Sequence, residues 1–265
     1  MTSTKNSTAK HERYHIPNLK RGLEVFELLA KNPDGLTLPD IARLSGYSKS
    51  SIFRILCTLE DCGYVAKNRD ERTFRMSRKL AALGYAAFGE SNIVERSMDI
   101  LRQMRDRLGE TAMLGTMLDD GCVMIEQAPG TQPFKFLGEI GMRIGFHASA
   151  PGKAMLAFLP KEEVDRKVKR INFERYNENT ICDRESFYRE LDFVKSRGYA
   201  FDNGEEIEGV NCVGAPIFDA HGYPVAAIWI TGPRERIKTS QLDEVGKIVK
   251  SYADEISRRL GYGLI

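Results

Sequence analysis

Apolar residues between positions 36 and 59 recur at helical spacing. In the second half of this segment they stand at i, i+3, i+4 and i+7, namely at Ile52, Ile55, Leu56 and Leu59, which places them on one face of a helix. A shorter apolar group comes before them, formed by Ile41, Ala42 and Leu44. Gly46 lies between the two groups, and glycine ends helices well because it tolerates the left-handed conformation. The pattern predicts two helices joined by a tight turn.

The polar residues around these helices support the same prediction. Thr37 and Ser48 stand where each helix should begin, and their hydroxyls can accept backbone N–H groups as N-caps. Asp40 follows Thr37 by three residues as a capping box would require, and Pro39 fits the first turn. The outer face of the second helix carries Lys49, Ser50, Ser51, Arg54 and Cys57.

A helix, a glycine turn and a helix with a polar, basic outer face are typical of a helix-turn-helix. Hydroxyls and a helix N-terminus bind phosphate, and Lys or Arg can reach guanine O6 and N7 in the major groove. We therefore predict DNA contacts from Lys49, Ser50, Ser51 and Arg54. The alternative is an ordinary helical hairpin whose outer face is only solvated.

The flanking segments complete a winged helix. A preceding helix is predicted from Asn18 to Lys31, and its expected core side consists of Leu19, Leu23, Phe26 and Ala30. After residue 63 two short strands are predicted at 64–67 and 73–76, with the charged turn NRDER between them. Arg69 and Arg72 at this turn could bind phosphate or enter the minor groove. They could equally belong to a solvated turn.

The remainder of the chain predicts an α+β domain. A linker helix is expected over 77–89, and further helices over 93–108, 152–159, 161–170, 183–197 and 240–260. Strands are expected at 111–118, 122–127, 212–218 and 225–231, with the hairpin signals Asp119-Asp120-Gly121 and Asp219-Ala220-His221-Gly222 between them. Hairpin strands with helices before and after them favour an antiparallel sheet flanked by helices. The predicted organisation is a flexible tail (1–13), a winged helix-turn-helix domain (14–76), a linker helix (77–90) and a sensor-like domain (91–265).

Composition and charge agree with a soluble, two-part protein. No apolar run approaches the roughly 18 residues of a membrane span, and the polar N-terminus does not look like a secretory signal. Of the 39 Lys and Arg and 37 Asp and Glu, 13 and 9 fall in residues 1–76 and 26 and 28 in the rest. A basic first part suits a nucleic-acid module. The five scattered cysteines, with no CxxC pair, indicate reduced thiols in the cytoplasm and no metal site.

No constellation of catalytic residues stands out in the second part. The dinucleotide, P-loop, nucleophile-elbow and zinc-protease motifs are missing from the sequence. His147 and His221 lie in different segments and are expected to pack or to cap turns. Asp202, Glu205, Glu206 and Glu208 form an acidic cluster that could gate a ligand or metal, although a solvated loop is the interpretation that composition favours. An enzyme domain fused to a helix-turn-helix is the rival interpretation, and a winged helix that binds another protein is a third.

Four stretches carry a family resemblance along nearly the whole chain. They are LTLPDIARLSGYSKSSIFRIL, FRMSRKLAALG, HASAPGKAMLAFLP and RGYAFDNGEEIEGVNCVGAPIFDAHGYPVAAIWITGP. In this order and spacing they resemble the IclR family of bacterial transcription regulators. The resemblance implies a winged-helix DNA-binding domain, a linker helix and a GAF-like domain that binds a small organic effector. It also implies homodimers or homotetramers on operator DNA and the control of a catabolic operon by repression or by activation. Of the two, we predict a repressor, and we expect no cofactor.

The same resemblance implies an effector pocket. The loop from Ala150 to Gly152 matches a segment whose backbone amides receive a carboxylate, and Asp202, Cys212 and Thr231 match polar pocket positions. Two departures bear on the ligand: Pro151 has no N–H, and Trp229 stands where many members carry Ser. These departures tell against a small keto-acid. The segments NENTICDRE and GVNCVGAPIFD resemble those of members that serve carbohydrate catabolism, which suggests a sugar acid.

Trp229 is the only tryptophan of the chain. It precedes Thr231 by two residues in a predicted strand, so the two side chains should share a face. If Thr231 lines the pocket, Trp229 does too, and the effector would be larger than a two- or three-carbon keto-acid. The alternative is that the indole only fills the core.

Overall fold

The computed structural model describes residues 16–68, 72–80, 83 and 93–263. By its internal contacts the chain divides into two compact units, Met1–Glu90 and Ser91–Ile265. Each unit is described by itself below. The predicted N-terminal tail lies outside the described residues. So does almost all of the predicted linker helix.

The first unit is a winged helix-turn-helix. Its helices are α1 (Pro17–Ala30), α2 (Leu38–Ser45) and α3 (Lys49–Asp61), and its strands are β1 (Leu36–Thr37), β2 (Val65–Asn68) and β3 (Thr73–Met76). The strands form an antiparallel sheet in the order β1-β3-β2. The predicted core face of the second helix is confirmed, because Ile52, Ile55 and Leu56 are buried and Leu59 packs against them. The two-residue strand β1, which is too short to show a periodic pattern, was not predicted.

The predicted core side of α1 is wrong except for Phe26, which packs against the core. The buried residues of α1 are Gly22, Val25 and Leu29, whereas Leu19 and Leu23 are 60% and 54% exposed. The helix has apolar residues on two adjacent stripes, and periodicity alone does not say which stripe meets the core. The core of α2, α3 and β3 takes the Val25 side, and this leaves an apolar stripe of α1 at the surface.

The second unit is built on one antiparallel sheet. Its helices are α4 (Ile93–Leu108), α5 (Ala150–Leu156), α6 (Lys161–Val168), α7 (Arg184–Arg197) and α8 (Leu242–Arg259), the last preceded by a 3-10 turn (Thr239–Gln241). Its strands are β4 (Thr111–Met117), β5 (Cys122–Ala128), β6 (Arg143–Ile144), β7 (Ala200–Asn203), β8 (Val210–Phe218) and β9 (Pro224–Pro233). They lie in the order β6-β5-β4-β9-β8-β7. The α+β class and the helix-flanked antiparallel sheet are confirmed.

Alternation along the strands gives the sheet two packed faces. Leu114, Ile228 and Val213 point to the face covered by α4 and α8. Met113, Ala227 and Trp229 point to the other face, which packs against α5, α6 and α7. Both faces are apolar because helices cover both of them.

Two differences from the sequence predictions bear on the cavity. Strand β7 lies in a segment that carries Asp202 and was interpreted as a loop, because acidic residues are depleted in strands. It pairs with β8, with Asp202 opposite Cys212. Helix α5 begins at Ala150, earlier than predicted, because Ser149 caps it. Within the part of the chain that the structure describes, no helix is both long and apolar enough to cross a membrane.

Candidate DNA-binding surface and ligand cavity

The turn between α2 and α3 is built by its caps. The Thr37 hydroxyl accepts the backbone N–H of Asp40 at 3.4 Å, and the Ser48 hydroxyl accepts that of Ser51 at 3.3 Å. Hydrogen bonds from Thr37 and Arg43 hold the pKa of Asp40 below its ordinary value. Gly46 ends α2 in the left-handed region with φ 74°. Both predicted N-caps and the glycine stop are therefore present, and they fix where α3 starts.

The outer face of α3 presents the side chains predicted to contact DNA. Lys49, Ser50 and Arg54 are exposed. Ser51 is half-buried, and its hydroxyl lies 3.5 Å from Nη1 of Arg21 on α1. The face is thus polar and basic over one and a half turns, and neither Lys49 nor Arg54 forms an ion pair with an acidic residue among those the structure describes. It offers N–H and O–H donors to phosphates and base edges.

The predicted wing carries two arginines, Arg69 and Arg72. Arg72 is exposed next to β3 with φ 55°, a left-handed conformation that non-glycine residues adopt at some cost. Its placement at the tip of the hairpin leaves its guanidinium open to solvent. Arg69 lies outside the described residues.

A cavity of about 180 Å³ lies on the face of the sheet that packs against α5. Five of the six predicted effector residues line it: Ala150, Asp202, Cys212, Trp229 and Thr231. Strand register brings them together, because Met113 stands opposite Trp229 and Cys212 opposite Thr231. Gly152, the sixth, is buried in α5 and does not line the cavity.

A close approach between α5 and β8 sets one end of the cavity. A Cβ atom at Gly214 would come within 3.1 Å of the Ala150 carbonyl carbon and 3.2 Å of the Pro151 nitrogen. Glycine therefore lets the start of α5 rest on the strand. Ser149 accepts the Gly152 N–H at 3.2 Å, and Pro151 has no N–H to offer. Two of the first amides of α5 are accordingly closed to a ligand.

The first two residues of the acidic cluster, Asp202 and Glu205, belong to a buried hydrogen-bond network. Lys153 is fully buried, and its Nζ donates to Glu205 Oε1 at 2.5 Å. The Glu205 N–H donates to Asp202 Oδ1 at 2.7 Å. Asp202 and Glu205 are only 5% and 7% exposed, so the interpretation as a solvated loop is wrong for both. It is correct for Glu208, which is exposed.

Burial dominates the electrostatics of this network. Desolvation raises the pKa of Asp202 to about 7, the nearby Lys153 ammonium opposes that rise, and Glu205 adds to it. Desolvation also raises the pKa of Glu205 in spite of its ion pair, and that of Glu206. Asp202 can consequently accept a hydrogen bond from a ligand when ionised and donate one when protonated.

The sulfur of Cys212 lies beside the Thr231 hydroxyl. Thr231 Oγ1 donates to Cys212 Sγ at 3.4 Å and lies 3.9 Å from Met113 Sδ. Burial raises the pKa of the Cys212 thiol well above its ordinary value. A thiol of this kind stays protonated and is a weak nucleophile, so the cavity is suited to binding.

His147 packs against aromatic rings and His221 lies in a turn, as expected. His147 is buried, its Nε2 lies 2.9 Å from the Glu174 carbonyl oxygen, and its ring stacks on Tyr176. His221 is exposed in the turn before β9. Among the described residues, no three His, Cys, Asp or Glu side chains gather in the way a metal ion would need.

Two features of the cavity escaped the sequence analysis. Phe136 and Ile207 line it from loops, where no periodic pattern marks a residue as part of a site. The burial of Lys153 in α5 was not predicted either. A single lysine inside the run from Ala150 to Leu159 was the available signal, since a lysine surrounded by apolar residues needs a buried anionic partner.

Comparison with known proteins defines the class. The family model described as the IclR helix-turn-helix domain matches residues 18–69. The model described as the bacterial transcriptional regulator IclR C-terminal domain matches residues 85–258. The protein is thus a helix-turn-helix transcription regulator with a separate C-terminal domain. The second match alone covers more than half of the chain, and the chain belongs to the IclR family.

Individual relatives agree along most of their length. The chain is 31% identical over 242 residues to the HTH-type transcriptional regulator BhcR of Paracoccus denitrificans, covering 91% of this chain and 86% of that protein. It is 30% identical over 250 residues to the transcriptional repressor IclR of Escherichia coli, covering 94% and 90%. The crystal structure of the Thermotoga maritima IclR matches with a TM-score of 0.72 and 33% identity, covering 94% of this chain and all of that one. These relatives are named as regulators, in agreement with a protein that is not an enzyme.

Proposed function

We propose that this protein is a ligand-responsive repressor that binds a near-palindromic operator and is controlled by a small organic effector. Lys49, Ser50, Ser51 and Arg54 contact DNA from α3, and Arg69 and Arg72 contact it from the wing. Ala150, Asp202, Cys212, Trp229 and Thr231 surround the effector. Gly152 supports the loop that holds it.

The observation that carries the DNA-binding part is the division of α3 into two faces. Ile52 and Leu56 are fully buried, while Lys49 and Arg54 are exposed on the other side. A capped helix held rigidly by its apolar face can enter the major groove with its polar face, and its first turn meets the phosphates. Because the outer side chains make no contribution to the core, they are free to be selected for DNA.

The apolar stripe left on α1 supports a homodimer. Leu19 and Leu23 are more than half exposed. A second copy that covers this stripe would remove apolar surface from water, and two copies of α3 would then reach successive major grooves. A tetramer would need a further contact between the C-terminal units.

The cavity supports the sensing part. It is lined mostly by apolar residues, some buried and some exposed, and carries a few polar groups, which is the usual character of a small-molecule site. Its ligand can change DNA affinity only if it binds one conformation of the protein better than the other. The E. coli IclR and several other relatives are named as repressors, which favours repression of a catabolic operon.

A combined DNA and fluorescence titration tests the proposal. DNA flanking the protein's own gene is footprinted, and candidate metabolites are added while DNA binding and Trp229 emission are followed together. Because Trp229 is the only tryptophan and lines the cavity, its emission should change over the concentration range that releases DNA. Trp229→Ser should alter which compounds act.

Two outcomes would count against separate parts of the proposal. A protein that leaves no footprint on that DNA is not the regulator proposed here. A compound that changes DNA affinity with flat emission, and that acts on the Trp229→Ser variant at unchanged concentration, binds outside the cavity. Turnover of any metabolite would favour the enzyme alternative.

A further inference from the structure

We infer that the cavity takes an uncharged, hydroxyl-bearing compound and discriminates against the corresponding carboxylate. This inference rests on the proposed function, since it assigns a ligand class to the same site. It departs from the sugar acid that the family resemblance suggests. Three features of the site carry the inference: the charges that line the cavity, the amides at the start of α5, and the partner of the nearest buried lysine.

The charged groups on the lining are all acidic. Asp202 and Glu206 both line the cavity, and no Lys, Arg or His does so within the part of the chain that the structure describes. Asp202 is 5% exposed, so water screens it poorly. A ligand carboxylate placed here would be desolvated beside like charges without a counter-charge, which is costly.

The helix start does not supply the missing positive partner. Pro151 has no N–H, and the Gly152 N–H is already donated to Ser149 Oγ at 3.2 Å. The Lys153 N–H is donated to the Ser149 carbonyl oxygen at 3.1 Å. Of the first four residues of α5, only Ala150 retains an amide that is not used in this way, and α5 is a helix of seven residues. One amide satisfies a single lone pair of a carboxylate.

The nearest buried cation is also engaged. Lys153 is fully buried and does not line the cavity. Its Nζ donates to Glu205 Oε1 at 2.5 Å, so the lysine charge is balanced within the protein. Turning it toward a ligand would leave Glu205, whose Oε2 is already buried without a partner among the described residues, as an isolated carboxylate. Lys153 therefore supplies no counter-charge to a ligand in the cavity.

What remains on the lining is two carboxyl acceptors, neutral donors such as the Trp229 indole N–H and the Thr231 hydroxyl, and apolar walls. The Asp202 and Glu206 carboxyls accept hydrogen bonds from hydroxyl groups, and these charge-assisted bonds are stronger than neutral ones. The Trp229 indole provides a flat surface for the C–H side of a polyol or sugar, and Phe136 lines another part of the wall. The volume of about 180 Å³ lies below the usual range of roughly 300–1,000 Å³, which restricts the compound to a small one.

The test uses matched pairs that differ only in charge. The full-length protein is titrated at about pH 8, where free carboxylic acids are ionised, with glycerol and glycerate, erythritol and erythronate, xylose and xylonate. Affinity is measured by calorimetry, and Trp229 emission reports occupancy of the cavity. In each pair that binds, the neutral member should bind at least about tenfold more tightly, which corresponds to 1.4 kcal/mol.

Variants of the two acidic lining residues test whether they cause the preference for the neutral compound. Asp202→Asn keeps an Oδ1 atom to accept the Glu205 N–H, so the loop should stay in place, and the preference for the neutral member should fall by about tenfold. Glu206→Gln, at an exposed residue, provides a second test if the first variant folds poorly. Asp192→Asn, which removes an exposed carboxylate on α7 outside the cavity, should leave the preference unchanged.

Each result bears on the inference. An acid that binds as tightly as its neutral partner, or a panel in which no neutral compound binds at millimolar concentration, would overturn the ligand class. An equal loss of preference in Asp192→Asn would show that net charge, and not the lining, discriminates. An acid that binds in the cavity and releases DNA would overturn this inference and leave the proposed regulator intact, whereas failure to bind DNA would contradict the proposed function only.

Discussion

The two units place their candidate functional residues in opposite ways. On the candidate DNA-binding surface, Lys49, Ser50 and Arg54 come from one helix within six positions of the chain and are exposed. In the cavity, Ala150, Asp202, Cys212 and Trp229 come from α5, β7, β8 and β9, and all but Cys212 are buried. The first site depends on where one helix begins. The second depends on strand register and on how a helix rests on the sheet.

This difference has a consequence for stability. Side chains outside the core can change without loss of the fold. Mutations on the exposed face of α3 should therefore affect DNA binding alone. Polar groups inside the core serve the fold and the site together, because a buried charge without its partner is costly. Mutations near the cavity should therefore change stability and ligand response at once. The following predictions test that contrast, from the largest effect to the smallest.

The largest effect is expected at the buried ion pair. Lys153→Met should destabilise the second unit by about 3–5 kcal/mol, because it leaves the Glu205 carboxylate buried without its cation. Urea unfolding followed by Trp229 emission measures this directly, since Trp229 is 3% exposed in that unit. Lys195→Met, at an exposed lysine of α7, should shift the curve little. The double variant Lys153→Met with Glu205→Leu should recover part of the loss, and a single variant as stable as the parent would show that the pair is dispensable.

The next effect is a pH dependence due to Asp202. Its pKa rises from an ordinary 3.8 to about 7 in the folded chain, so the folded state holds a proton more strongly than the unfolded state. The stabilisation from this proton is fully present below about pH 4 and is lost as the pH rises through about 7. At about 1.4 kcal/mol per pKa unit, the loss amounts to roughly 4 kcal/mol at most.

Asp202→Asn removes this dependence. The variant should gain stability relative to the parent as the pH rises from about 4 to about 8, and urea unfolding at several pH values measures the gain. Asp192→Asn, an exposed match, should follow the parent. A constant difference between Asp202→Asn and the parent across this range would mean that Asp202 does not titrate there.

A smaller effect, confined to binding, is expected on α3. Arg54→Ala should cost about 1–3 kcal/mol of operator affinity if Arg54 reads a base, and the urea midpoint should stay in place because the side chain lies outside the core. Fluorescence anisotropy with labelled operator measures the affinity. Arg189→Ala, an exposed arginine of α7, is the matched control. Unchanged affinity in a folded Arg54→Ala protein would remove Arg54 from the interface.

The smallest effect concerns the wing. Arg72→Ala should weaken binding to all DNA sequences alike and reduce the slope of log K against log salt by about one unit, as loss of one phosphate contact does. Replacing Arg69 as well should remove about one further unit. A parent-like slope in both variants would leave the wing tip as a solvated turn.

Prediction from sequence succeeded where the signal is local. Thr37, Ser48 and Gly46 marked the helix ends, and the spacing of Ile52, Ile55 and Leu56 marked the core face. It failed on α1, where two apolar stripes fit the same helical period and either could face the core. It also failed where a short segment becomes a strand only by pairing with a neighbouring strand. Strand β7 is the example, because its acidic residue suggested a loop and only pairing with β8 makes it a strand. The cavity residues were named through family resemblance, and their convergence followed from the fold.

The sequence by itself determined the order of elements, the two-part organisation and the outer face of α3, because caps and periodic apolar positions act within a few residues of chain. Only the tertiary structure decided which stripe of α1 is covered and that Lys153 and Glu205 meet across 52 positions. It also decided that Asp202 faces a cavity whose described lining residues include no Lys, Arg or His. Those facts depend on contacts between distant segments and on the water that these contacts exclude. The charge that a ligand would meet is set by that burial, which no local pattern records.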